Sequence, residues 1–214
     1  MNGESVAPAK AGAQAGRKLD PGLRRDDSPY ARNRTITSSD TSLTLRLLTG
    51  RPAEMAALQR VLESAPAYFQ SVTGSPPGGA EAQTTFTALP PGKTYDDKFV
   101  WGLYSGEAMI GCADVIRGYP VREAAMIGLL LLAEDRQRRG LGRAFAALLE
   151  RRIASWPEIA RLRIGVVASN GGALTFWRKE GFRETGELRP PHSGFVREVI
   201  VLEKPLEREA PHGA

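Results

Sequence analysis

The residues with the clearest chemical meaning form one short block, Gln137-x-x-Gly140-x-Gly142, flanked by Arg136, Arg138, Arg139 and Arg143. It follows an apolar run at residues 124–132, which is bounded by the charged stretch 134–139 and reads as a buried strand. Behind it, Leu141, Phe145, Leu148, Leu149 and Ile153 recur at i, i+4, i+7, i+8, the stripe of an amphipathic helix. A helix start leaves backbone N–H groups unpaired and carries the positive end of the helix dipole, so strand, glycine loop and helix together predict an anion site. Glycine at 140 and 142 lets phosphate oxygens approach the main chain. Four guanidinium groups oppose the dipole unless an anion joins them; without one they must be solvated surface charge.

Residue types separate the phosphate motifs that share this layout. A Walker loop needs Lys and then Ser or Thr after its second glycine, and here Arg143 and Ala144 follow Gly142. A dinucleotide fingerprint needs a small residue where Phe145 stands. What remains resembles the pyrophosphate signature of the GNAT N-acyltransferase superfamily. A second block strengthens the resemblance: Asn170, Ala173, Phe176, Trp177, Lys179, Gly181 and Phe182 follow a predicted strand at 162–168 and look like the later GNAT motif. The resemblance covers roughly residues 43–206, with its specific signal in 127–182.

The resemblance implies an N-acetyltransferase that moves an acetyl group from acetyl-CoA, bound as cosubstrate, to an amine, expected to be on a small molecule. It implies that Arg138, Arg139, Gly140, Leu141, Gly142 and Arg143 cradle the coenzyme A pyrophosphate, with Gln137 opening the motif. Leu130 and Leu132 would pair through their backbones with the pantetheine arm. Asn170 would fix that arm, and Phe176 and Trp177 would lie at the thioester end. Many GNAT relatives carry a Tyr acid where Trp177 stands, and an indole N–H is too weak an acid for that work, so the thiolate's acid is unassigned. Asp114, which interrupts an apolar strand, and Tyr119, at the next turn, are the candidate catalytic groups; a paired carboxylate and a packed ring are their structural alternatives. Tyr68 and Phe69 are read as wall or core, and Cys112 as a small buried apolar group. A non-catalytic acyl-CoA sensor remains the alternative function.

The elements that must position these groups follow from periodicity. Strands are expected at 43–48, 98–104, 109–117, 124–132, 162–168, 182–188 and 196–202, and helices at 52–63, around Tyr68 to Val72, at 140–153 and at 173–180, with residues 74–79 irregular. Ser105-Gly106 is the expected hairpin turn between the strands at 98–104 and 109–117. The mixture predicts an α/β (α+β) fold. The resemblance adds a single mixed, mostly antiparallel sheet with a central splay between two parallel strands, flanked by helices.

Three segments are expected: a disordered basic tail at 1–40, the acyltransferase domain at 41–207 and a short disordered end at 208–214. Through Ser39 the chain lacks an apolar period, and residues 1–38 hold seven basic against four acidic groups. Residues 8–27 resemble the translated interspersed repeats of some bacterial reading frames. The first 20 residues lack the apolar stretch of a secretory signal, and no run approaches the ~20 residues that span a bilayer. One cysteine and two histidines give no zinc cage, so no metal is expected. Net charge is +5, but the folded part shows no basic stripe interleaved with aromatics, so nucleic acid is not the expected partner. A reducing cytoplasm fits this composition, and both monomer and homodimer stay open.

Overall fold

The computed structural model describes residues 34–38, 41–191 and 197–207. Eight strands and five helices succeed one another: β1 (Arg34–Ser38), β2 (Thr41–Leu47), α1 (Pro52–Glu63), α2 (Pro66–Thr73), α3 (Glu81–Thr87), β3 (Lys98–Ser105), β4 (Ala108–Arg117), β5 (Ala124–Leu132), α4 (Leu141–Ile153), β6 (Arg161–Val167), α5 (Gly171–Lys179), β7 (Arg183–Arg189) and β8 (Val199–Pro205). One sheet takes the order β1-β2-β3-β4-β5-β6-β8-β7. β5 and β6 run parallel, and the other neighbours are antiparallel.

β5 and β6 pair only from Ala124↔Arg161 to Ile127↔Ile164. Beyond that point β5 continues to Leu132 paired, among the described residues, with β4 alone, which leaves its other edge without a strand partner among them. Register against β4 also slips there: Asp114 faces Leu129 while Val115 faces Ile127, which leaves Gly128 as a bulge. An extra residue bends a strand and increases its twist, and here the bend turns β5 away from β6. The splay is therefore built into the sheet at Gly128.

The predicted stripe of α4 buries Phe145, Leu148, Leu149 and Ile153 on one sheet face, against Trp101, Ile127 and Leu132. Trp156, directly after α4, joins Phe99 and Trp101 with ring centroids 4.7 and 6.0 Å away. The other face carries α1 and α2, whose Leu58, Leu62 and Phe69 cover Val100, Cys112 and Leu131. Helices thus flank the sheet on both sides, as expected.

Two elements were not anticipated. β1 lies inside the stretch read as a tail; its Thr35, Ile36 and Thr37 are three consecutive β-branched residues, and the strand pairs back onto β2. Residues 1–33 and 39–40, the rest of the expected tail, lie outside the described residues, as do 208–214. α3 has no side-chain cap and is held from outside, with the Gln59 side chain donating to the Gly78 carbonyl and accepting from the Ala82 N–H at 2.8 Å. The final strand begins at Val199 rather than 196, and residues 192–196 are outside the description. The β3–β4 turn falls one residue later than expected, at Gly106-Glu107, because Ser105 pairs with Ala108.

Candidate functional site

The chain leaves β5 at Leu132, makes one 3-10 turn over Glu134–Arg136, and enters α4 through residues 137–140. The Gln137 amide donates to the Leu132 carbonyl at 2.9 Å and ties the loop back to the strand end. Arg138 (φ 59°) and Gly140 (φ 77°) are both left-handed, and Arg138 is the sole non-glycine residue in that region among those described. A left-handed arginine costs of order 1 kcal/mol, and such strain persists where the surroundings impose it. Gly140 is the N-cap of α4, and no side chain caps the helix, so its first amides face outward unshielded. A Cβ built on Gly140 would meet nothing within 4 Å, which means the space beside this backbone is open.

This opening belongs to a cleft of about 740 Å³ that gathers most of the predicted residues. Leu130 and Leu132 of β5, Gln137, Arg138, Gly140, Gly142 and Arg143 of the loop and α4, and Asn170, Phe176 and Trp177 at α5 all line it. Asn170 caps α5, its Oδ1 accepting from the Ala173 N–H at 3.0 Å. Trp177 is only 8% exposed and stacks edge-on with Phe176 and Phe182, so most of its ring is core and one margin borders the cleft.

Four predicted residues are not in the lining. The Arg139 side chain is solvent-exposed, and Leu141 turns into the main core. Tyr119 is buried with Ile116 and Met126. Its hydroxyl has no hydrogen-bond partner among the described residues, and burial pushes the phenol up, against the pull of Arg189 and Arg163. Asp114 lies on the opposite sheet face from α4, where Lys98 Nζ holds its two oxygens at 2.8 and 2.9 Å. Burial pushes this carboxyl above the ordinary range, with Lys98 acting to lower it. Buried Cys112 is pushed up by burial first and by Asp114 second, which keeps it a thiol.

Tyr68, read from the sequence as wall or core, lines the cleft, and sequence reasoning missed its neighbours Ala65, Ala67 and Ser71 together with Gly171 and Gly172. The Gly171-Gly172 pair after Asn170 was the available signal, since two glycines at a helix start leave a second set of amides open to close approach. No signal marked the small residues at the start of α2, which face the cleft only because of how the helix packs. Burial raises the Tyr68 phenol, with Cys112, Glu81 and Asp114 adding to the effect. Among the described residues no cluster of three or more His, Cys, Asp or Glu side chains could hold a metal ion, and no helix is long and apolar enough to cross a membrane.

The arrangement offers two features to one ligand: a helix start with bare amides for an anion, and a free strand edge for an extended amide-bearing chain. Coenzyme A has both parts, a pyrophosphate and a pantetheine arm, and the residues present fit it.

No curated protein matches the sequence. Solved structures do. An acetyltransferase from Thermus thermophilus is 28% identical with a TM-score of 0.58, covering 76% of this chain and 97% of that one. A Salmonella typhimurium acetyl transferase that modifies the N-terminal serine of a 50S ribosomal subunit protein superposes with a TM-score of 0.64 at 18% identity, over 81% of this chain and all of its own. A spermidine N-acetyltransferase from Vibrio cholerae, solved with CoA and spermine, has a TM-score of 0.60 at 15% identity, over 77% of this chain and 95% of its own. At those lower identities the likeness is one of fold. The sequence profile of the acetyltransferase (GNAT) family matches residues 58–182, more than half of the chain and both glycine-bearing blocks. The chain belongs to the GNAT family of acetyltransferases.

Proposed function

We propose that this acetyltransferase binds acetyl-CoA in the cleft between β5 and α5 and transfers the acetyl group to the amine of a small molecule. The observation that carries the reading is the convergence of the uncapped α4 start, with Arg138 and Gly140 left-handed, and the free edge of β5 on one cleft. The acetyl thioester supplies an activated acyl carbon. The protein's part is to hold it: amides of residues 138–142 receive the pyrophosphate, with Arg138 and Arg143 adding charge-assisted bonds. Leu130 and Leu132 align the arm through main-chain bonds, and Asn170 borders it from α5. A backbone N–H near Leu130 would stabilise charge on the carbonyl oxygen. The attacking nitrogen forms the new C–N bond as the C–S bond breaks, the sulfur leaves as thiolate, and the surplus amine proton passes to solvent or a base. A thiol of pKa about 8.5 leaves without an assigned acid, so Trp177 at the usual Tyr position is compatible with turnover.

Membership in an acetyltransferase family favours this reading over a sensor. The Vibrio relative's spermidine supports a small amine acceptor, while the Salmonella relative acts on a protein N-terminus, so acceptor class is the point to test. Free-thiol release from acetyl-CoA should accelerate with at least one member of a panel of polyamines, amino acids and aminoglycosides. Acceleration only by peptides with free N-termini would refute the small-molecule acceptor; no stabilisation by CoA at about 100-fold excess over a typical Kd would refute the site.

A further inference from the structure

Opposite α4, at the point where β5 and β6 part, the sheet has an unusual floor. The last paired residues are Ile127 and Ile164, and the next residue on each strand, Gly128 and Gly165, is a solvent-exposed glycine in the middle of the sheet. The open side of Gly128 faces Asp114, whose Oδ2 would lie 3.5 Å from a Cβ built there. At Gly165 the corresponding space is already taken by Val199, whose Cγ1 would lie 2.8 Å from a Cβ built there. A side chain at Gly128 would cover the Asp114 carboxylate, and glycine leaves a shallow basin over it, whereas at Gly165 glycine makes room for Val199.

The ion pair at its edge is asymmetric. The Lys98 side chain is 1% exposed and sealed, whereas that of Asp114 is 16% exposed. A carboxylate accepts about four hydrogen bonds, and Lys98 takes one on each oxygen. The remaining capacity points to the accessible side. A buried pair made only for stability is often replaceable by apolar residues without loss, so a lysine sealed behind a partly open carboxylate calls for another reason. Tyr68 connects this basin to the cleft: it lines the cleft, packs beside Val167 and Val199, and its phenol feels the Asp114 charge.

We propose that Asp114 is the counter-charge for the acceptor, which enters over Gly128 as an ammonium ion, and that Lys98 is the positioning residue that orients Asp114 and keeps it ionised. This rests on the proposed coenzyme A site and adds the charge class of the acceptor. Burial raises Asp114, and among the described residues the groups facing it are Lys98 from β3, Tyr68 from α2 and Cys112 on its own strand, Lys98 being the cation of the set.

Two isosteric thioethers test this without knowledge of the acceptor: S-(2-aminoethyl)-coenzyme A, which places an ammonium just beyond the sulfur, and S-propyl-coenzyme A, which places a methyl there. Calorimetry on the full chain at neutral pH should show roughly tenfold tighter binding of the ammonium probe, the size of one charge-assisted hydrogen bond. In Asp114→Asn that preference should fall to about twofold or less. In Lys98→Met the pH at which the preference disappears on acidification should rise by about one unit, which a merely structural lysine would not cause. Coenzyme A itself should bind all three proteins alike, which also reports that the variants fold. Equal affinity of the two probes for the wild type, from about pH 5 to 8, overturns the proposal while leaving the coenzyme site intact. A preference that survives in a folded Asp114→Asn protein overturns it as well. Failure of the wild type to bind coenzyme A overturns both readings.

Discussion

Replacing Gly142 by alanine separates the fold from the site. Gly142 is the second residue of α4 and has ordinary helical φ, and a Cβ there would meet Phe176 at 3.5 and 3.7 Å and Leu132 at 4.0 Å, normal contact distances. Alanine gains about 0.5–1 kcal/mol over glycine inside a helix, less at its first turn, so unliganded Gly142→Ala should unfold at or slightly above the wild-type temperature. The same methyl group stands in the cleft, where it holds a phosphate away from the α4 amides. Weakening one charge-assisted hydrogen bond costs about 1.5–3 kcal/mol, or a factor of about 10 to 100 in Kd. Coenzyme A at about 100 times its Kd stabilises the wild type by about 2.7 kcal/mol; a tenfold weaker site at the same concentration gives about 1.4. For a domain of this size the ligand-induced rise in Tm should shrink by about 3–5 °C. Differential scanning calorimetry with and without coenzyme A reads both quantities. An unchanged ligand shift in a stable Gly142→Ala protein would refute the placement of the pyrophosphate, and a lowered unliganded Tm would refute the packing argument.

Other positions give independent outcomes. Asn170→Ala removes the cap on the Ala173 N–H and should cost about 1 kcal/mol of stability together with coenzyme affinity, whereas Asn170→Asp keeps the cap and should lose affinity alone; parallel denaturation and binding curves distinguish the two. Phe145→Ala empties a fully buried site under the sheet and should lower unfolding free energy by about 3–5 kcal/mol in urea with an unchanged slope. Breaking the Lys98–Asp114 pair at one partner should cost about 3–5 kcal/mol, while Lys98→Met combined with Asp114→Leu should be near or above wild-type stability. Because folding raises the Asp114 carboxyl, the native state holds that proton more tightly, so this group's contribution falls as pH rises above about 4 and the double variant's advantage should grow over the same range.

Much of this architecture is legible in the residue order. β5 occupies the same nine residues its apolar run predicts, and α1 begins at Pro52, as a proline at the first helical position implies. The α4 stripe, with Gly140 just before the helix and Gly142 in its first turn, was enough to predict a strand-to-helix loop at these residues, and the structure has one. The splay was expected only through the resemblance, and its position at Gly128 was not readable, because a bulge depends on the register of two strands and a lone glycine in an apolar run has no period of its own. For the same reason nothing in the sequence marked Lys98 beyond its place at the start of an expected strand; only pairing of β3 with β4 sets it behind Asp114. β1 and α3 are short and take their stability from neighbours, β2 and the Gln59 side chain, so local pattern carried little of their signal.

The central claim is that main-chain donors of residues 138–142 hold the coenzyme's pyrophosphate. A crystal structure of the complex with coenzyme A tests it directly. The account predicts both phosphates within hydrogen-bond distance of those amides, with the pantetheine arm running along Leu130 and Leu132. A nucleotide bound elsewhere, with the loop before α4 facing bulk water, would contradict it.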